Sequence, residues 1–474
     1  MSTFHIEQFG CRATQADGAA IERQLREQGC SVATDLSTAE IVVVNTCTVT
    51  AAADAQARDA IRKIHAANPE ARIIVTGCYA QRDPEELAAL SGVSYVVGNS
   101  HKPQIPFLVR GLQSDDLASA SAGGFVPLSL LQPAELPRQR SAPILSGDIS
   151  RLRDVLVAPV LGGEGNHTRP TLKIQDGCNS RCSFCVIPSV RGRSRSLDVG
   201  TVLAEIQRLS DTGYKEIVLS GINLGTYGRD LSPRTEFPDL LRRILDETDV
   251  RRLRISSIEP LDVTRDLVAL FASTDRLAPH FHMPLQSASN RILAAMHRWY
   301  RAEHYRRRVE FISELLPHAA IGADVITGFP GETEEDHSAT LNFIESLPFT
   351  YLHVFSYSQR PGTKAATLPN QLSGTLMKRR ARELRALGDA KAAGFRSSQI
   401  GQKLSVLTLR RAEKFPQCTP AISGNYLTVQ IPSIVPPNQF LSVIINDFDG
   451  KNLLASPFEP VSIGAEGAGS LKSA

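Results

Sequence analysis

Short apolar runs alternate with helical segments along most of the 474 residues, and this alternation restricts the fold more than any other feature of the sequence. In the N-terminal third, residues 4–9, 41–44 and 73–75 are strand-like, and residues 19–28 and 54–66 have helical spacing. A run that is apolar throughout, such as 41–44, is typical of a strand buried on both faces of a parallel sheet. The order predicts a doubly wound parallel-sheet α/β domain over residues 1–110.

A cysteine follows each of these three strands: Cys11, Cys47 and Cys78. Ligands of open α/β sheets bind at the carboxyl edge of the strands, so these three thiols could converge on one metal cluster. Their positions alone leave three buried, inert thiols as an equal alternative, because free cysteine is often buried. Cys30 falls outside the pattern and is interpreted as structural.

Three further cysteines, Cys178, Cys182 and Cys185, form a C-x-x-x-C-x-x-C motif on a predicted loop after a strand-like run at 171–175. A closed structural zinc site needs four ligands. An iron–sulfur cluster held by three cysteines instead keeps one iron open to a substrate or cofactor. A zinc loop and three reduced core cysteines remain the alternatives.

The alternation continues after this motif, and six predicted βα units indicate a partial parallel (β/α)6 barrel over residues 166–400. An active site is then expected at the carboxyl ends of its strands, where Gly221, Asn223, Gln286 and Gly328 lie. Glycine allows close approach of a ligand, and Asn and Gln offer donors and acceptors. For each residue alone, ordinary turn chemistry is the alternative.

The flanking segments are predicted from composition and spacing. Residues 111–165 are rich in Ser, Ala, Pro and Gly and are interpreted as a linker with a short strand near 155–160. A charged helix begins near residue 378. Short alternating segments within 401–464 predict a small β-barrel, in which Cys418 is interpreted as structural, and 465–474 is predicted to be a disordered tail.

Composition excludes several classes of protein. Eight scattered cysteines do not form a disulfide scaffold, and no apolar run is long enough to span a bilayer. The N-terminus lacks a secretory signal, so we predict a cytoplasmic location with no membrane partner. The net charge of +3 neither requires nor excludes an RNA partner.

Two basic stretches are candidate contacts for anions. Arg191, Arg193 and Arg195 follow the cysteine motif and could meet phosphates or a cofactor carboxylate; a solvated loop is the alternative. Residues 291–308 interleave basic and aromatic side chains, which fits RNA contact through phosphates and stacking, or the outer face of a barrel helix.

The motif "GCNSRCSFCVIPSVRGRSRS", with "GC", "NTC" and "TGC" after the first three strands, resembles the radical S-adenosylmethionine (SAM) methylthiotransferases. The resemblance implies that Cys178, Cys182 and Cys185 hold a 4Fe–4S cluster that binds SAM. It implies that the cysteines after the first three strands hold a second 4Fe–4S cluster. "SGIN" and "GFPGET" would border SAM, and the C-terminal barrel would be an RNA-binding TRAM domain, although that match is weak.

The resemblance is greatest to the branch that adds a methylthio group at carbon 2 of N6-threonylcarbamoyladenosine beside the tRNA anticodon. The partners implied are the tRNA anticodon stem-loop and an electron donor such as a flavodoxin-type protein. Isopentenyladenosine in tRNA and a ribosomal-protein aspartate are the alternative substrates. Arg12 departs from the lysine more usual in this branch. A radical enzyme acting on a protein or small molecule, and a non-enzymatic RNA-binding protein with structural clusters, remain hypotheses from other classes.

Overall fold

The computed structural model describes residues 2–113, 141–153, 155–156, 159–160, 168–411 and 417–457. The N-terminal region is a parallel sheet in the order β2-β1-β3-β4-β5-β6 with helices on both faces, so the doubly wound prediction is confirmed. Its strands are β1 Thr3–Gln8, β2 Ser31–Val32, β3 Ile41–Thr46, β4 Arg72–Gly77, β5 Val93–Gly98 and β6 Ile144–Leu145. Its helices are α1 Arg12–Glu27, α2 Ala51–Ala67, α3 Cys78–Arg82, α4 Pro84–Ala88 and α5 Ile105–Gln113.

The sheet is buried because its strands place apolar side chains on both faces. Val42 and Val44 pack against Ile61 of α2 on one face, and Val43 packs with Ile21 of α1 on the other. The order of the strands changes direction between β1 and β3, because β2 lies on one side of β1 and β3 to β6 follow on the other. Open α/β sheets bind ligands at this position. Strand β6 comes from the segment predicted as a linker; residues 114–140 of that segment, and the predicted tail 465–474, lie outside the described residues.

The central region contains six parallel strands that follow one another in space as they do in sequence: β8, β11, β12, β13, β14 and β15, with β7 antiparallel at the open edge. This is the partial barrel that the sequence predicted. The strands are β7 Pro159–Val160, β8 Thr171–Lys173, β9 Gln175–Asp176, β10 Arg195–Ser196, β11 Glu216–Ser220, β12 Arg252–Ile255, β13 His280–His282, β14 Ala320–Thr327 and β15 Tyr351–Ser356.

The helices of this region are α6 Ile187–Arg191, α7 Val199–Asp211, α8 Phe237–Glu247, α9 Arg265–Ala272, α10 Asn290–Ala295, α11 Ala302–Leu315, α12 Glu334–Glu345 and α13 Gly374–Ser397. Except for α6, which lies between β9 and β10, they cover the outside of the barrel and bury the largest apolar cluster of the described residues. Strands β9 and β10 pair antiparallel and so close residues 177–194 into one loop at the carboxyl end of β8. That loop carries the three-cysteine motif.

The C-terminal region is a closed five-stranded barrel in the order β16-β17-β18-β20-β19. It docks on the amino ends of β11 and β12, where Arg252 and Arg254 pair with the buried Glu216 and donate to the carbonyl oxygens of Ile422 and Ser423. This barrel therefore lies at the end of the central region opposite the cysteine loop. Its strands are β16 Lys403–Thr408, β17 Thr419–Ser423, β18 Thr428–Ile431, β19 Phe440–Phe448 and β20 Leu453–Pro457.

None of the helices within the described ranges has the length and apolarity required to cross a membrane.

Candidate active site

The loop between β9 and α6 carries Cys178, Cys182 and Cys185, all partly buried. The backbone N–H of Ser180 points to the sulfur of Cys178, and that of Ile187 to the sulfur of Cys185, each at an N–S distance of 3.4 Å. N–H groups aimed at sulfur stabilise thiolates and help to set the potential of a cluster that they hold. The loop is therefore arranged for thiolate ligands.

Arg298 completes the surroundings of this loop, although the sequence alone gave it no such role. Its Nη1 donates to the sulfur of Cys182 at 3.3 Å, and its Nη2 pairs with the carboxylate of Glu259. The guanidinium stacks 4.9 Å from the ring centroid of Tyr300, whose hydroxyl donates to the carbonyl oxygens of Pro284 and Leu285. Arg298 is thus fixed between the cysteine loop and the segment after β13.

The second set of cysteines lies at the carboxyl ends of three adjacent strands, β1, β3 and β4. Cys47 and Cys78 are buried, and Cys11 is exposed at the N-terminus of α1. Gly10 has a φ of +92°, and a Cβ on it would lie 2.4 Å from the Cβ of Cys47, so this approach requires glycine. The amide Nδ2 of Asn99 lies 3.6 Å from the sulfur of Cys78.

The chemistry of both sets fits an iron–sulfur cluster better than a single ion. Among the residues that the structure describes, neither cysteine set brings its three sulfurs within 4.8 Å of one another. Tetrahedral zinc with bonds of about 2.3 Å would hold its sulfurs about 3.8 Å apart. Burial and then the neighbouring thiols Cys11 and Cys78 raise the pKa of Cys47 to about 11. Bound metal would offset this crowding of thiolates.

Buried charges next to the second set give independent support for this fit. Six charged side chains are buried where α1 and the turn before α5 meet the barrel: Asp17, Lys102, Lys173, Asp176, Arg191 and Arg195. These are four cations and two carboxylates, an excess of two positive charges. Burial would lower the pKa of Arg191, but Cys78 and then Asp176 and Asp17 outweigh it and raise that pKa. An anionic thiolate cluster is the complement that this excess requires.

One cavity of about 220 Å³ lies between the N-terminal sheet and the barrel, lined by Cys185 of the first set and by residues that follow Cys47 of the second. Val49 and Thr50, shortly after Cys47, form one wall, and residues 184–187, including Cys185, form another. Gln286, Asp324, Ile326 and residues 355–358 complete the lining. A molecule in this cavity would contact the surroundings of both cysteine sets.

Of the four residues predicted to contact SAM, only Gln286 lines this cavity. Its Oε1 is buried without a hydrogen-bond partner among the described residues, as is Oδ1 of Asn223, so a ligand could satisfy both atoms. Gly221 packs against Gln175 beside the cysteine loop. The N–H of Gly328 donates to Glu332 at 2.7 Å, and a Cβ on this glycine would lie 2.3 Å from Met377 of α13.

The first basic stretch is placed differently from both sequence interpretations, whereas in the second Arg307 is exposed on α11, a helix outside the barrel, as the alternative interpretation expected. Arg191 and Arg195 are buried in the ion-pair network, so they are neither a solvated loop nor free contacts for an anion; Arg193 alone is exposed. Tyr300 and Tyr305 are buried in the barrel core and cannot stack on RNA. Inside the core, both hydroxyls donate to carbonyl oxygens after β13, so their polar ends are satisfied.

A polar cluster on the barrel's inner surface was also missed. Asp324 of β14 lies 3.1 Å from Nε2 of His282 on β13 and 3.2 Å from Nδ1 of His353 on β15, each measured to its Oδ1. The signal was present in the sequence, because polar residues alternate along strands whose other residues are apolar. Such alternation on a parallel strand indicates a polar barrel interior rather than a solvated face.

Comparison with known proteins matches two parts of the chain. Residues 3–98 match an uncharacterized protein family, UPF0004, and residues 172–344 match the radical SAM superfamily. Among solved structures, the radical SAM methyltransferase TsrM of Kitasatospora setae aligns with a TM-score of 0.53 at 17% identity, over 77% of this chain and 74% of that chain. At that identity the likeness bears on the fold alone.

Curated relatives align over most of the length. Threonylcarbamoyladenosine tRNA methylthiotransferase MtaB of Aquifex aeolicus is 37% identical over 405 residues, which are 85% of this chain and 92% of that protein. The protein of the same name from Bacillus subtilis is 36% identical, over 86% of this chain and 85% of its own length. A tRNA-2-methylthio-N(6)-dimethylallyladenosine synthase of Paenarthrobacter aurescens is 33% identical, over 96% of this chain and 85% of that protein. With both domains matched and such relatives aligned this widely, the chain belongs to the radical SAM methylthiotransferases, enzymes that use SAM and 4Fe–4S chemistry.

Proposed function

We propose that the protein is a tRNA methylthiotransferase that inserts a methylthio group at carbon 2 of N6-threonylcarbamoyladenosine next to the anticodon. One observation carries the proposal: a single cavity is lined by Cys185 of the first cysteine set and by Val49 and Thr50, which closely follow Cys47 of the second. Clusters held on these two sides of one cavity would let a sulfur carrier and a radical generator act on one substrate atom. The relatives named above at 36–37% identity support the choice of N6-threonylcarbamoyladenosine as the substrate.

Cys178, Cys182 and Cys185 would hold the 4Fe–4S cluster that binds SAM, and Cys11, Cys47 and Cys78 would hold the second. When bound, these groups supply one-electron chemistry that activates an unreactive C–H bond. The residues of the chain orient the groups and exclude water. Phe184, Ile326, Phe355 and Tyr357 give the cavity apolar walls, which protect reactive species from solvent.

A basic face of α13 is our candidate for contact with the tRNA backbone. Lys378, Arg382 and Arg385 lie on one side of this helix and line an open groove together with Ser356. Ser356 also lines the cavity, so the groove leads to its mouth. The three basic side chains are exposed, and neither Lys378 nor Arg382 forms an ion pair with the described residues. Exposed cations beside the active site suit the phosphates that flank a modified nucleotide.

The flavodoxin-type electron donor stays a prediction, and the surface over the cysteine loop is where we place it. Nδ1 of His297 lies 3.2 Å from the carbonyl oxygen of Arg181, inside the motif, and its Nε2 lies 3.2 Å from Nζ of Lys364. Trp299 beside them is 78% exposed. A basic surface with an exposed aromatic ring suits an acidic protein that must approach the cluster closely.

Nucleoside mass spectrometry of tRNA tests the proposal. Cells that lack the gene should lose 2-methylthio-N6-threonylcarbamoyladenosine and accumulate its unthiolated precursor, and the wild-type gene should restore the product. A Cys47→Ala gene should fail to restore it, whereas Cys30→Ala, which changes a buried cysteine outside both sets, should succeed. Unchanged 2-methylthio nucleosides would refute the tRNA assignment.

Methylthiolation of isopentenyladenosine is the second candidate. The synthase of Paenarthrobacter aurescens aligns over 96% of this chain, and the apolar walls of the cavity would also accept a hydrocarbon substituent. The same mass-spectrometric measurement separates the two, because the product would then carry the prenyl group.

A further inference from the structure

Asp324 connects the cavity to a polar cluster that it forms with His282, which is buried, and with His353, whose side chain is half-exposed. Asp324 lines the cavity, and His353 is its direct partner in the register of β14 and β15. The next inward-facing pair toward the carboxyl end, Ile326 and Phe355, belongs to the apolar wall. Below an apolar entrance, the cavity therefore meets a patch of hydrogen-bonding groups.

The cluster has capacity left for a ligand. Nε2 of His282 lies 3.1 Å from Oδ1 of Asp324 but outside hydrogen-bond geometry, so this buried nitrogen has no hydrogen-bond partner in the part of the chain that is described. Nδ1 of the same ring is fixed by the hydroxyl of Ser257 at 2.7 Å. Nδ1 of His353 contacts Asp324, and the ring is half-exposed, so its Nε2 is available to hydrogen-bond a ligand.

The two candidate substrates differ at the group that would reach this patch. A threonylcarbamoyl substituent carries urea N–H groups, a hydroxyl and a carboxylate, whereas a dimethylallyl substituent is a hydrocarbon. Covering Asp324 and His282 with hydrocarbon would remove the Asp324 carboxylate from solvent and leave Nε2 of His282 without a hydrogen-bond partner, which is costly. A site built to hydrogen-bond a substrate group discriminates strongly against the analogue that lacks it.

We infer that His353, with Asp324 and His282, binds the polar N6 substituent of the substrate adenosine and so selects threonylcarbamoyl over dimethylallyl. This inference rests on the proposed function and deepens it. Asp324 accepts from hydroxyl or N–H donors, and the two imidazoles supply the complementary donors. His353 is a specificity-determining residue in this scheme.

The test uses the anaerobically reconstituted holoenzyme and two anticodon stem-loop RNAs that differ only in the N6 group. Wild-type enzyme should prefer the threonylcarbamoyl RNA. His353→Phe, which keeps a planar ring but removes its hydrogen bonds, should lower kcat/KM for that RNA by about tenfold or more. It should lower kcat/KM for the dimethylallyl RNA far less, and His353→Gln should recover part of the loss. His318→Phe, an exposed histidine before the amino end of β14, is the matched control and should leave the preference unchanged.

Each other outcome overturns the inference in a recognisable way. An unchanged substrate preference in His353→Phe refutes this inference and leaves the proposed function standing. Wild-type enzyme that methylthiolates neither RNA refutes the proposed function and the inference with it. If His353→Phe no longer cleaves SAM in assays that contain no RNA, the three polar residues bind SAM and not the substrate. If the holoenzyme contains one zinc per chain and the His353→Phe variant contains none, the three polar residues form a metal site.

Discussion

Asp17 offers the sharpest test of how the two halves of the active site are held together. Its carboxylate accepts from Lys102 at 2.8 Å and from Arg191 at 3.0 Å, and it also pairs with Lys173. Lys173 belongs to the barrel and Arg191 to the helix after the cysteine loop, so one carboxylate on α1 joins both cluster regions. Asp17→Asn keeps the shape of the side chain and removes its charge.

The expected loss in the free energy of unfolding follows from the buried charges that remain in Asp17→Asn. The substitution raises the buried excess from two positive charges to three, because four cations then face only Asp176. Removing one partner of a buried ion pair typically costs about 3–5 kcal/mol, because the charges that remain stay buried without their partner. Asp17→Asn should therefore lower the free energy of unfolding by about 3–5 kcal/mol. Asp59→Asn, which breaks an exposed pair with Arg62, should change it by less than about 1 kcal/mol.

The pH dependence of stability has a defined sign. Burial alone would raise the pKa of Asp17, but Lys102, Lys173 and Arg191 outweigh it and hold the pKa well below its ordinary value. The stabilisation is therefore complete above the ordinary aspartate pKa of about 4 and is lost as the pH falls through the lower folded-state pKa.

Anaerobic urea unfolding of the holoenzyme, followed by circular dichroism between pH 3 and pH 8, measures both effects. The wild-type advantage over Asp17→Asn should be constant above about pH 5 and should shrink toward pH 3. A destabilisation no larger than that of the Asp59 control, or one that grows toward acid pH, would refute the reasoning.

Three further predictions concern the cluster loop, the docked barrel and the RNA surface. Arg298→Met should lower the midpoint potential of the cluster that binds SAM, because it removes an N–H···S bond to Cys182. The decrease should be about 40 mV if that bond favours the reduced state by about 1 kcal/mol. Redox titration followed by electron paramagnetic resonance measures the potential, and Arg298→Lys should give an intermediate value. Glu216→Gln should loosen the C-terminal barrel, seen as faster hydrogen exchange in β16 and β17. Because Arg254, Arg252 and Arg169 outweigh burial and lower the pKa of Glu216 to about 2, the stabilisation that this carboxylate gives to docking should weaken as the pH falls from the ordinary glutamate value of 4.5 toward that pKa. The double variant Lys378→Glu and Arg382→Glu should weaken stem-loop binding and reduce the slope of log K against log salt by about two, measured by fluorescence anisotropy.

The parts of the fold that could be predicted are those governed by local pattern. Continuous apolar strands alternating with helices specify parallel sheets, and a cysteine after each of β1, β3 and β4 is placed at one edge by topology alone. The motif from Cys178 to Cys185 is contiguous, so its geometry is largely local. These features required no knowledge of packing between domains.

The missed residues depend on contacts that are distant in sequence. Arg191 follows the cysteine loop closely, and its role is set by Asp17, 174 residues away, which no local pattern indicates. Arg12 departs from the usual lysine, and its guanidinium reaches the hydroxyl of Tyr426 in the C-terminal barrel at 3.1 Å. At Gly328 the packing of Met377 also requires the absence of a side chain, a contact that the local motif does not indicate. In each case tertiary packing decides among several roles that the residue could take.

Iron content is the most direct test of the central claim that two separate sets of three cysteines each hold a cluster. Anaerobically reconstituted wild-type protein should contain about eight irons per chain, and Cys47→Ala about four. That variant should still cleave SAM upon reduction but should no longer methylthiolate RNA. Wild-type protein with about four irons, or a Cys47→Ala variant that keeps about eight, would contradict the account.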